Sequence, residues 1–292
     1  MKTTIATYLV ACQSFILATS ALALPPTPRD GTSTSKRILL WDYTNTGNVS
    51  SVPTLKSSLD EAASKVTAVS NWDTWRPSEA PDSLAFYPTV RTIDMVSGDS
   101  WTQLLASLDK EKSAGRQTIV QYLNEPENEG VSASDAATTW RSSLLPLKTK
   151  YNAKLVGPGT SSSDAGIAFQ DAFMGALADD EKPDYVGLHY YSTEGNPVAG
   201  EIAWGQNYLT KAHSKYNLPV FVNEIACTSR DSADVKQFSD EMTTWMEQQD
   251  WIQQYGFFGV SLQVANSWVS PEAQLLDTSG AWTTLGKDLM GL

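Results

Sequence analysis

Short apolar runs alternate with longer amphipathic stretches along most of the chain, and this alternation predicts an α/β fold. Eight runs are apolar or β-branched and only a few residues long, which is typical of buried strands. They are residues 37–43, 66–72, 84–91, 117–125, 153–158, 184–191, 219–226 and 255–263. Helical spacing of apolar positions separates most of them, most clearly over 232–251.

Strands that alternate with helices form right-handed βαβ units and a parallel sheet. Eight such strands predict a closed (β/α)8 barrel, a TIM barrel, built as a single domain over residues 37–292. An open doubly wound sheet is the structural alternative, but no G-x-G-x-x-G follows the first strand. The least regular part is 43–100, and Pro146 is expected to kink or end the helix that contains it.

The N-terminal segment has the pattern of a secretory signal rather than of the folded domain. Lys2 precedes a long apolar region, which ends in small residues at Ala21-Leu22-Ala23. We expect cleavage after Ala23, which gives a signal peptide over 1–23, and an uncleaved anchor is the alternative. Residues 24–36 are rich in Pro, Ser and Thr and predict a flexible lead-in. The protein is therefore expected to be secreted and extracellular, with association to a cell wall left open.

Composition narrows the class of partner. The formal net charge is −12, so the surface repels nucleic acid and anionic membranes and suits a neutral partner. Ten Trp and eleven Tyr either stack on sugars or fill the core. Beyond the signal, Cys227 is the remaining cysteine, and we expect a buried free thiol. Asn48 begins a glycosylation sequon.

Two glutamates fall where a parallel barrel places its catalytic groups, at the C-terminal ends of strands. Glu125 ends the fourth predicted strand and Glu224 ends the seventh. Alternation predicts one face shared by Val220, Val222 and Glu224, and another shared by Ile119, Gln121, Leu123 and Glu125. If these faces point inward, both carboxylates lie at the mouth of the barrel. Paired carboxylates can serve as acid/base and nucleophile in glycoside hydrolysis. The alternative is a pair of ordinary surface glutamates.

Other polar residues near strand ends are candidates for the same site. His189 and Tyr191 share a face of the sixth strand, where they can bond a carboxylate or a sugar hydroxyl, or can be structural. Simple alternation points Asn124 away from Glu125, unless a bulge or a strand end turns it inward. Two histidines and, beyond the predicted signal, one cysteine supply no metal-ligand cluster, so no metal is expected. We expect no cofactor.

The ordered set of strand-end motifs resembles glycoside hydrolase family 128, a family of fungal and bacterial β-1,3-glucanases. The resemblance runs from about residue 37 to the C-terminus. The motifs are VSNWDTW, FYPTV, YLNEPEN, KLVGPG, GLHYYS, VNEIAC and LDTSGAWTTLG. The Asn-Glu-Pro motif and the second glutamate are shared with the wider clan of retaining barrel glycosidases, and their spacing of 99 residues fits that plan.

The resemblance implies a retaining mechanism in which Glu125 is the acid/base and Glu224 the nucleophile. It also implies substrate-binding roles for five residues: Asn124, His189, Tyr191, Trp75 and Trp268.

Some positions depart from the family pattern. The family often has Trp where this chain has Arg91 and Tyr190, and an aromatic residue at the end of the eighth strand, where Leu262 and Gln263 stand. These departures bear on the shape of the cleft and on the mode of cleavage, and they leave the two carboxylates in place.

We therefore expect a secreted, monomeric glycoside hydrolase that cleaves β-1,3-glucan by double displacement, with endo favoured over exo cleavage. Its partner would be a β-glucan polysaccharide or oligosaccharide, with neither nucleic acid nor membrane. One alternative is a barrel that binds β-glucan without cleaving it. The other is a glycosidase of the same mechanism that acts on another β-linked polysaccharide, because the groove rather than the fold decides the substrate.

Overall fold

The structure is a computed structural model, and it describes residues 35–46, 59, 64–263 and 269–292. All of these belong to one compact unit, Thr32–Leu292. The expected signal peptide over 1–23, nearly all of the expected lead-in, the sequon at Asn48 and the candidate Trp268 lie outside the described residues.

The strands are parallel and form two sheets. In chain order they are β1 Arg37–Leu40, β2 Val66–Ser70, β3 Ala85–Phe86, β4 Thr89–Val90, β5 Ile119–Asn124, β6 Lys154–Gly159, β7 Val186–Tyr191, β8 Val220–Ala226 and β9 Ile252–Phe257. One sheet has the order β3-β2-β1-β9-β8-β7 and the other the order β4-β5-β6.

The third predicted strand is interrupted, and its two halves serve different sheets. Tyr87 and Pro88 separate β3 from β4. The Tyr87 N–H donates to the carbonyl of Val69 at 2.9 Å, while the Pro88 carbonyl accepts from the Gln121 N–H at 2.9 Å. Proline cannot donate to a ladder, which explains the break in what we predicted as one strand. This segment nevertheless joins the two sheets.

The second join lies between β6 and β7. The Gly157 N–H donates to the carbonyl of Tyr185 at 2.9 Å, and the His189 N–H donates to the carbonyl of Thr160 at 2.8 Å. With both joins the parallel strands form a ring, so the predicted (β/α)8 barrel is confirmed, with its third strand in two pieces. Isolated bridges at Val156–Tyr185 and Thr160–Leu188 mark the same join.

The eighth predicted strand, 255–263, begins and ends too late. The observed β9 is Ile252–Phe257, because its ladder partners on β8 run from Val220 to Ile225. The apolar character of 256–262 continues beyond the pairing, which is why the pattern extended the strand.

Helices cover the outside of the ring. They are α1 Gly98–Ser113, α2 Ala133–Thr139, α3 Leu145–Tyr151, α4 Asp164–Ala176, α5 Val198–Tyr216, α6 Ser232–Gln248 and α7 Thr284–Met290. Side chains of Ser132, Ser163 and Asp231 cap the N-termini of α2, α4 and α6. A π-helical turn, Trp140–Leu144, precedes α3. Pro146 lies in the first turn of α3, so the longer predicted helix is interrupted next to this proline, as expected.

The hydrophobic core has an inner and an outer layer. Inside the barrel, Ile38, Ile119, Val156 and Phe221 belong to one buried cluster, whereas larger clusters pack between the strands and helices. Within the described residues, no helix combines the length and apolar character needed to cross a bilayer.

Candidate active site

Two carboxylates and an imidazole converge at the C-terminal end of the barrel. Glu125 directly follows β5, Glu224 lies near the end of β8, and His189 lies near the end of β7. One oxygen of each carboxylate and one nitrogen of His189 all lie within 4.8 Å of one another. The predicted convergence of Glu125 and Glu224 is therefore confirmed.

Unusual backbone conformations accumulate at these strand ends. Among the described non-glycine residues, Trp72, Leu123 and Glu125 have φ values of 55°, 52° and 40°, and the other two positive values end helices. Such conformations are costly and persist where the surroundings enforce them. At β5, the Asn124 N–H donates to the Arg91 carbonyl, and the Glu125 N–H donates to a carbonyl of β6, which holds the strand end in place.

Asn124 reaches the site because β5 does not continue its alternation. The register with β6 shifts between Tyr122 and Asn124, where Leu123 is left-handed. Asn124 therefore lines a small cavity together with Trp72, Gln121 and His189. This is the exception to simple alternation that an irregular strand end allows.

The expected alternation in β8 is wrong. Val220 and Val222 pack in the outer core, while Phe221 belongs to the inner cluster. A register shift opposite Leu188 and His189 then allows Asn223 and Glu224 both to face the interior. The Asn223 side chain donates to the Oε1 atom of Gln121 inside the barrel at 2.6 Å, whereas Glu224 pairs with His189 in the ladder.

Glu224 is buried and held by two hydrogen-bond donors. The indole Nε1–H of Trp72 donates to Oε1, and the Tyr191 hydroxyl donates to Oε2. Burial, followed by the charge of Glu224, raises the pKa of Tyr191 well above its ordinary value of 10. Tyr191 therefore stays protonated and donates the hydrogen bond that it shares with Glu224.

Glu125 is more accessible and is held by different donors. Nδ1 of His189 lies 3.0 Å from Oε1, and the Asn128 amide donates to Oε2 at 2.9 Å. Burial acts to raise the pKa of Glu125, but the hydrogen bond and charge of His189, with the Asn128 hydrogen bond, outweigh it and lower the pKa below 4.5. The side chain of Glu125 is 23% exposed against 7% for Glu224.

His189 lies between the two carboxylates. Its Nδ1 is 3.0 Å from Oε1 of Glu125 and 3.5 Å from Oε2 of Glu224. Burial acts to lower the pKa of this imidazole, but the charge of Glu224 and the hydrogen bond to Glu125 outweigh it, so the pKa is raised above 6.5. His189 and Tyr191 share the inner face of β7, as predicted.

Aromatic rings surround the buried carboxylate. Phe258 lies 5.7 Å from Trp72 and 6.3 Å from Tyr191 between ring centroids, in edge-on arrangements. Because β9 ends at Phe257, Phe258 is the aromatic residue that follows the eighth strand of the barrel. The departure inferred at Leu262 and Gln263 was therefore wrong, since the predicted strand ran too far.

Sequence reasoning missed Trp72, although it named the nearby Trp75. Trp72 ends the second predicted strand, the same kind of position that identified Glu125 and Glu224. The indole that contacts Glu224 belongs to Trp72, whereas Trp75 is half-buried and its carbonyl accepts from the Asn71 amide at 2.9 Å. A substrate-binding role for Trp75 stays a prediction.

The other two departures from the family pattern are Arg91 and Tyr190, which lie in different parts of the structure. The Arg91 guanidinium lies 5.2 Å from the ring centroid of the exposed Tyr43, at the rim beside β5. Tyr190 points away from the barrel interior, and its hydroxyl donates to the Glu201 carboxylate at 2.9 Å. Glu201 also accepts from the Asn196 amide, which holds the loop after β7.

Glu125, His189 and Glu224 are also spaced closely enough to hold a metal ion. However, the N–H of Trp72 and the O–H of Tyr191 are directed at the oxygens of Glu224, where a cation would bind. These two donors fit a hydrogen-bonded carboxyl group better than they fit a metal ligand.

Comparisons with known proteins agree on a glycoside hydrolase family. The family described as "Glycosyl hydrolase catalytic core" matches residues 44–288. The chain is 32% identical to a subgroup VI exo-β-1,3-glucanase of glycoside hydrolase family 128 from Aureobasidium namibiae, with 89% of this chain and 97% of that one covered and a TM-score of 0.75.

Two more distant proteins are also similar. A subgroup I endo-β-1,3-glucanase of the same family from Amycolatopsis mediterranei, solved with laminaritriose, is 20% identical, with 88% of this chain and 98% of that one covered and a TM-score of 0.66. Alkali-sensitive linkage protein 1 of Schizosaccharomyces pombe is 23% identical over 184 residues, which are 59% of this chain and 32% of that protein. The match thus spans about a third of the length of that relative.

Proposed function

The chain belongs to glycoside hydrolase family 128, a family of β-1,3-glucanases, and on this premise we propose that it cleaves β-1,3-glucan by double displacement with retention of configuration. The observation that carries the proposal is the separation of the two carboxylates. Retaining enzymes hold them about 5–5.5 Å apart and inverting enzymes about 6.5–9.5 Å apart. One oxygen of Glu125 and one of Glu224 lie within 4.8 Å of each other, a spacing below the inverting range that supports retention.

The surroundings of each carboxylate support a different role for it. Glu224 is buried, and the hydrogen bonds from Trp72 and Tyr191 fix its oxygens in position for attack on the anomeric carbon. Glu125 is the more accessible carboxylate and accepts a hydrogen bond from the exposed Asn128 amide, which suits a group that gives and takes a proton.

The reaction has two steps. In the first, Glu224 forms a bond to the anomeric carbon while the glycosidic bond breaks, and Glu125 gives its proton to the departing oxygen. In the second, Glu125 takes a proton from water as the water oxygen attacks the same carbon and the bond to Glu224 breaks. The two inversions together retain the configuration, and both carboxyl groups return to their starting state.

His189 links the two steps electrostatically. Its hydrogen bond and its charge lower the pKa of Glu125, the proposed acid, in the free enzyme. Glu125 must be protonated for the first step, so we expect hydrolysis to be fastest at acidic pH.

The substrate class rests on the relatives. The Aureobasidium enzyme is named an exo-β-1,3-glucanase, and the Amycolatopsis enzyme, an endo-β-1,3-glucanase, was solved with laminaritriose. An uncharged glucan also suits a chain with a net charge of −12. The expected preference for endo cleavage stays a prediction, and both modes occur among these relatives.

Secretion and a monomeric state are part of the same proposal. The basic start, apolar region and Ala-Leu-Ala ending of residues 1–23 support export. N-terminal sequencing of protein from the culture medium would test cleavage after Ala23, and size-exclusion chromatography with light scattering would test the monomer.

The decisive experiment is proton NMR of the products released from laminari-oligosaccharides. We expect the β anomer to appear first and the α anomer to form later by mutarotation, whereas initial release of the α anomer would overturn retention. Absence of any released reducing ends would favour a barrel that only binds glucan. Product lengths from laminarin separate the modes, since endo cleavage gives mixed lengths and exo cleavage one short product.

Matched variants test the roles. Glu125→Gln and Glu224→Gln are each expected to lower turnover of laminarin by at least about a hundredfold. Glu129→Gln, on the exposed part of the same loop, is the control and should leave turnover unchanged.

A further inference from the structure

An aromatic platform is exposed on α5, on the opposite side of β7 from the catalytic groups. Among the described residues, Trp204 is 45% exposed, and Tyr43 is the other exposed large hydrophobic residue. The indole of Trp204 stacks on Tyr190, with centroids 5.4 Å apart and planes at 24°, and on Tyr208, at 5.5 Å and 14°. The two tyrosines hold the indole in place although much of its surface faces solvent.

The approach to Trp204 is open and uncharged. A Cβ on Gly200, one helical turn earlier, would meet no atom within 4 Å. The exposed neighbours Ala203 and Asn207 carry no charge, and Glu201 is buried and bonded to the loop before α5. A planar apolar surface with amide groups beside it fits the apolar face of a neutral sugar.

A cavity between α4 and α5 adjoins the platform through Tyr208. It has a volume of about 190 Å³ and is lined mainly by apolar groups of Ile167, Leu188, Tyr208, Ala212 and Tyr216. Gln170 also lines it and is 1% exposed. Within the part of the chain that the structure describes, neither the nitrogen nor the oxygen of the Gln170 amide has a hydrogen-bond partner.

An unpartnered buried amide is unfavourable, so a cavity that contains one is suited to a ligand that both donates and accepts. A sugar hydroxyl does both, and the adjoining tyrosine and tryptophan rings offer faces for sugar stacking. Lys211 at the edge of the cavity adds a further donor to hydroxyl oxygens.

We propose that Trp204, Tyr208 and Gln170 form a second β-1,3-glucan-binding site, separate from the catalytic carboxylates. This inference rests on the proposed function for the identity of the glucan. The site lies outside the barrel, behind the strand whose inner face carries His189 and Tyr191, because Tyr190 points outward from that strand. A site there binds the polymer without occupying the cleft, so it acts on long or insoluble glucan and not on short oligosaccharides.

The test measures binding to insoluble β-1,3-glucan by sedimentation, in a Glu224→Gln background that prevents turnover. Trp204→Ala is expected to weaken binding about five- to tenfold. Gln170→Leu is also expected to weaken binding. It should not lower the melting temperature, because the substitution removes the unpartnered amide. Thr210→Ala, exposed on the same helix, is the control and should bind like the parent.

Measurements of hydrolysis distinguish a failure of the second site from a failure of the proposed function. With Glu224 intact, Trp204→Ala and Gln170→Leu should leave kcat/KM for laminaritriose within about twofold of the parent, since the catalytic groups are untouched. Unchanged binding of both variants to insoluble glucan would overturn the second site, as would equal parental binding to xylan. If the parent itself fails to hydrolyse laminaritriose, the proposed function fails, whereas the binding measurement does not depend on turnover.

Discussion

Gly159 leaves so little space beside His189 that a Cβ on Gly159 would lie 2.7 Å from Nε2 of the imidazole. Real contacts of this kind are longer, so Gly159→Ala should displace the ring that bridges the two carboxylates. The same residue accepts the hydrogen bond from the Glu125 N–H at 2.8 Å. We expect kcat on laminarin to fall by at least about tenfold, since small displacements of catalytic groups are costly.

The control for this substitution is Gly175→Ala. Gly175 lies within α4, and a Cβ there would meet nothing within 4 Å. Alanine is favoured over glycine inside a helix by about 0.5–1 kcal/mol. Gly175→Ala should therefore keep full activity and melt slightly higher, and parental activity of Gly159→Ala would show that the imidazole can move without consequence.

Tyr191→Phe should lower turnover without displacing the ring. The substitution removes the hydroxyl that donates to Oε2 of Glu224, and hydrogen bonds to charged groups contribute about 1.5–3 kcal/mol. We expect kcat/KM to fall about 10- to 100-fold. Tyr190→Phe is the matched control, because it loses a hydroxyl that bonds Glu201 outside the site; equal losses in both variants would contradict the role of Tyr191.

His189→Gln should shift the pH dependence of hydrolysis. His189 lowers the pKa of Glu125 through a hydrogen bond and its charge, so removal of the imidazole raises that pKa. The alkaline limb of kcat/KM follows loss of the proton from the acid in the free enzyme. That limb should therefore move to higher pH in the variant, even though the maximal rate falls. A limb that stays in place or moves to lower pH would show that Glu125 is not the acid or that His189 does not control it.

The contacts of Glu125 and His189 should make stability depend on pH. The pKa of His189 is raised above 6.5, so its contribution is complete below pH 6.5 and is lost as pH rises through the raised pKa. The pKa of Glu125 is lowered below 4.5, so its contribution is complete above pH 4.5 and is lost as pH falls through the lowered pKa. The joint contribution is therefore largest between pH 4.5 and 6.5.

Melting temperatures of the parent and Glu125→Gln across this range measure the contribution. The difference between the two proteins should be greatest within the window and should shrink on both sides. A difference that is constant from acidic to alkaline pH would show that the pair does not act through its charges. Glu129→Gln again serves as the control, and its difference from the parent should be small at every pH.

The sequence was informative where side-chain type and strand position agree. The alternation of strands and helices predicted the barrel, and the strand ends located Glu125, Glu224, His189 and Tyr191. These positions are readable because a parallel barrel brings all strand C-termini to one face. Val220 and Val222 do not face inward, contrary to the predicted alternation. Glu224 still faces inward, because the register of β8 shifts before it.

Other features depend on backbone irregularities that no periodic pattern contains. The left-handed conformation of Leu123 brings Asn124 to the site, although alternation points it away. The end of the β9 pairing, rather than hydropathy, places Phe258 beside Trp72. Choosing Trp72 over Trp75 as the partner of Glu224 requires knowing where β2 ends and where its next residues point.

Glu125 and Glu224 come from different sheets, because β5 belongs to the three-stranded sheet and β8 to the six-stranded sheet. Their spacing is therefore a property of the seams that connect the sheets, one at Tyr87 and Pro88 and one beside His189. Neither sheet alone sets the spacing of the two carboxylates. Substitutions that disturb either seam are therefore expected to change the spacing of the carboxylates and lower activity, even where they touch neither glutamate.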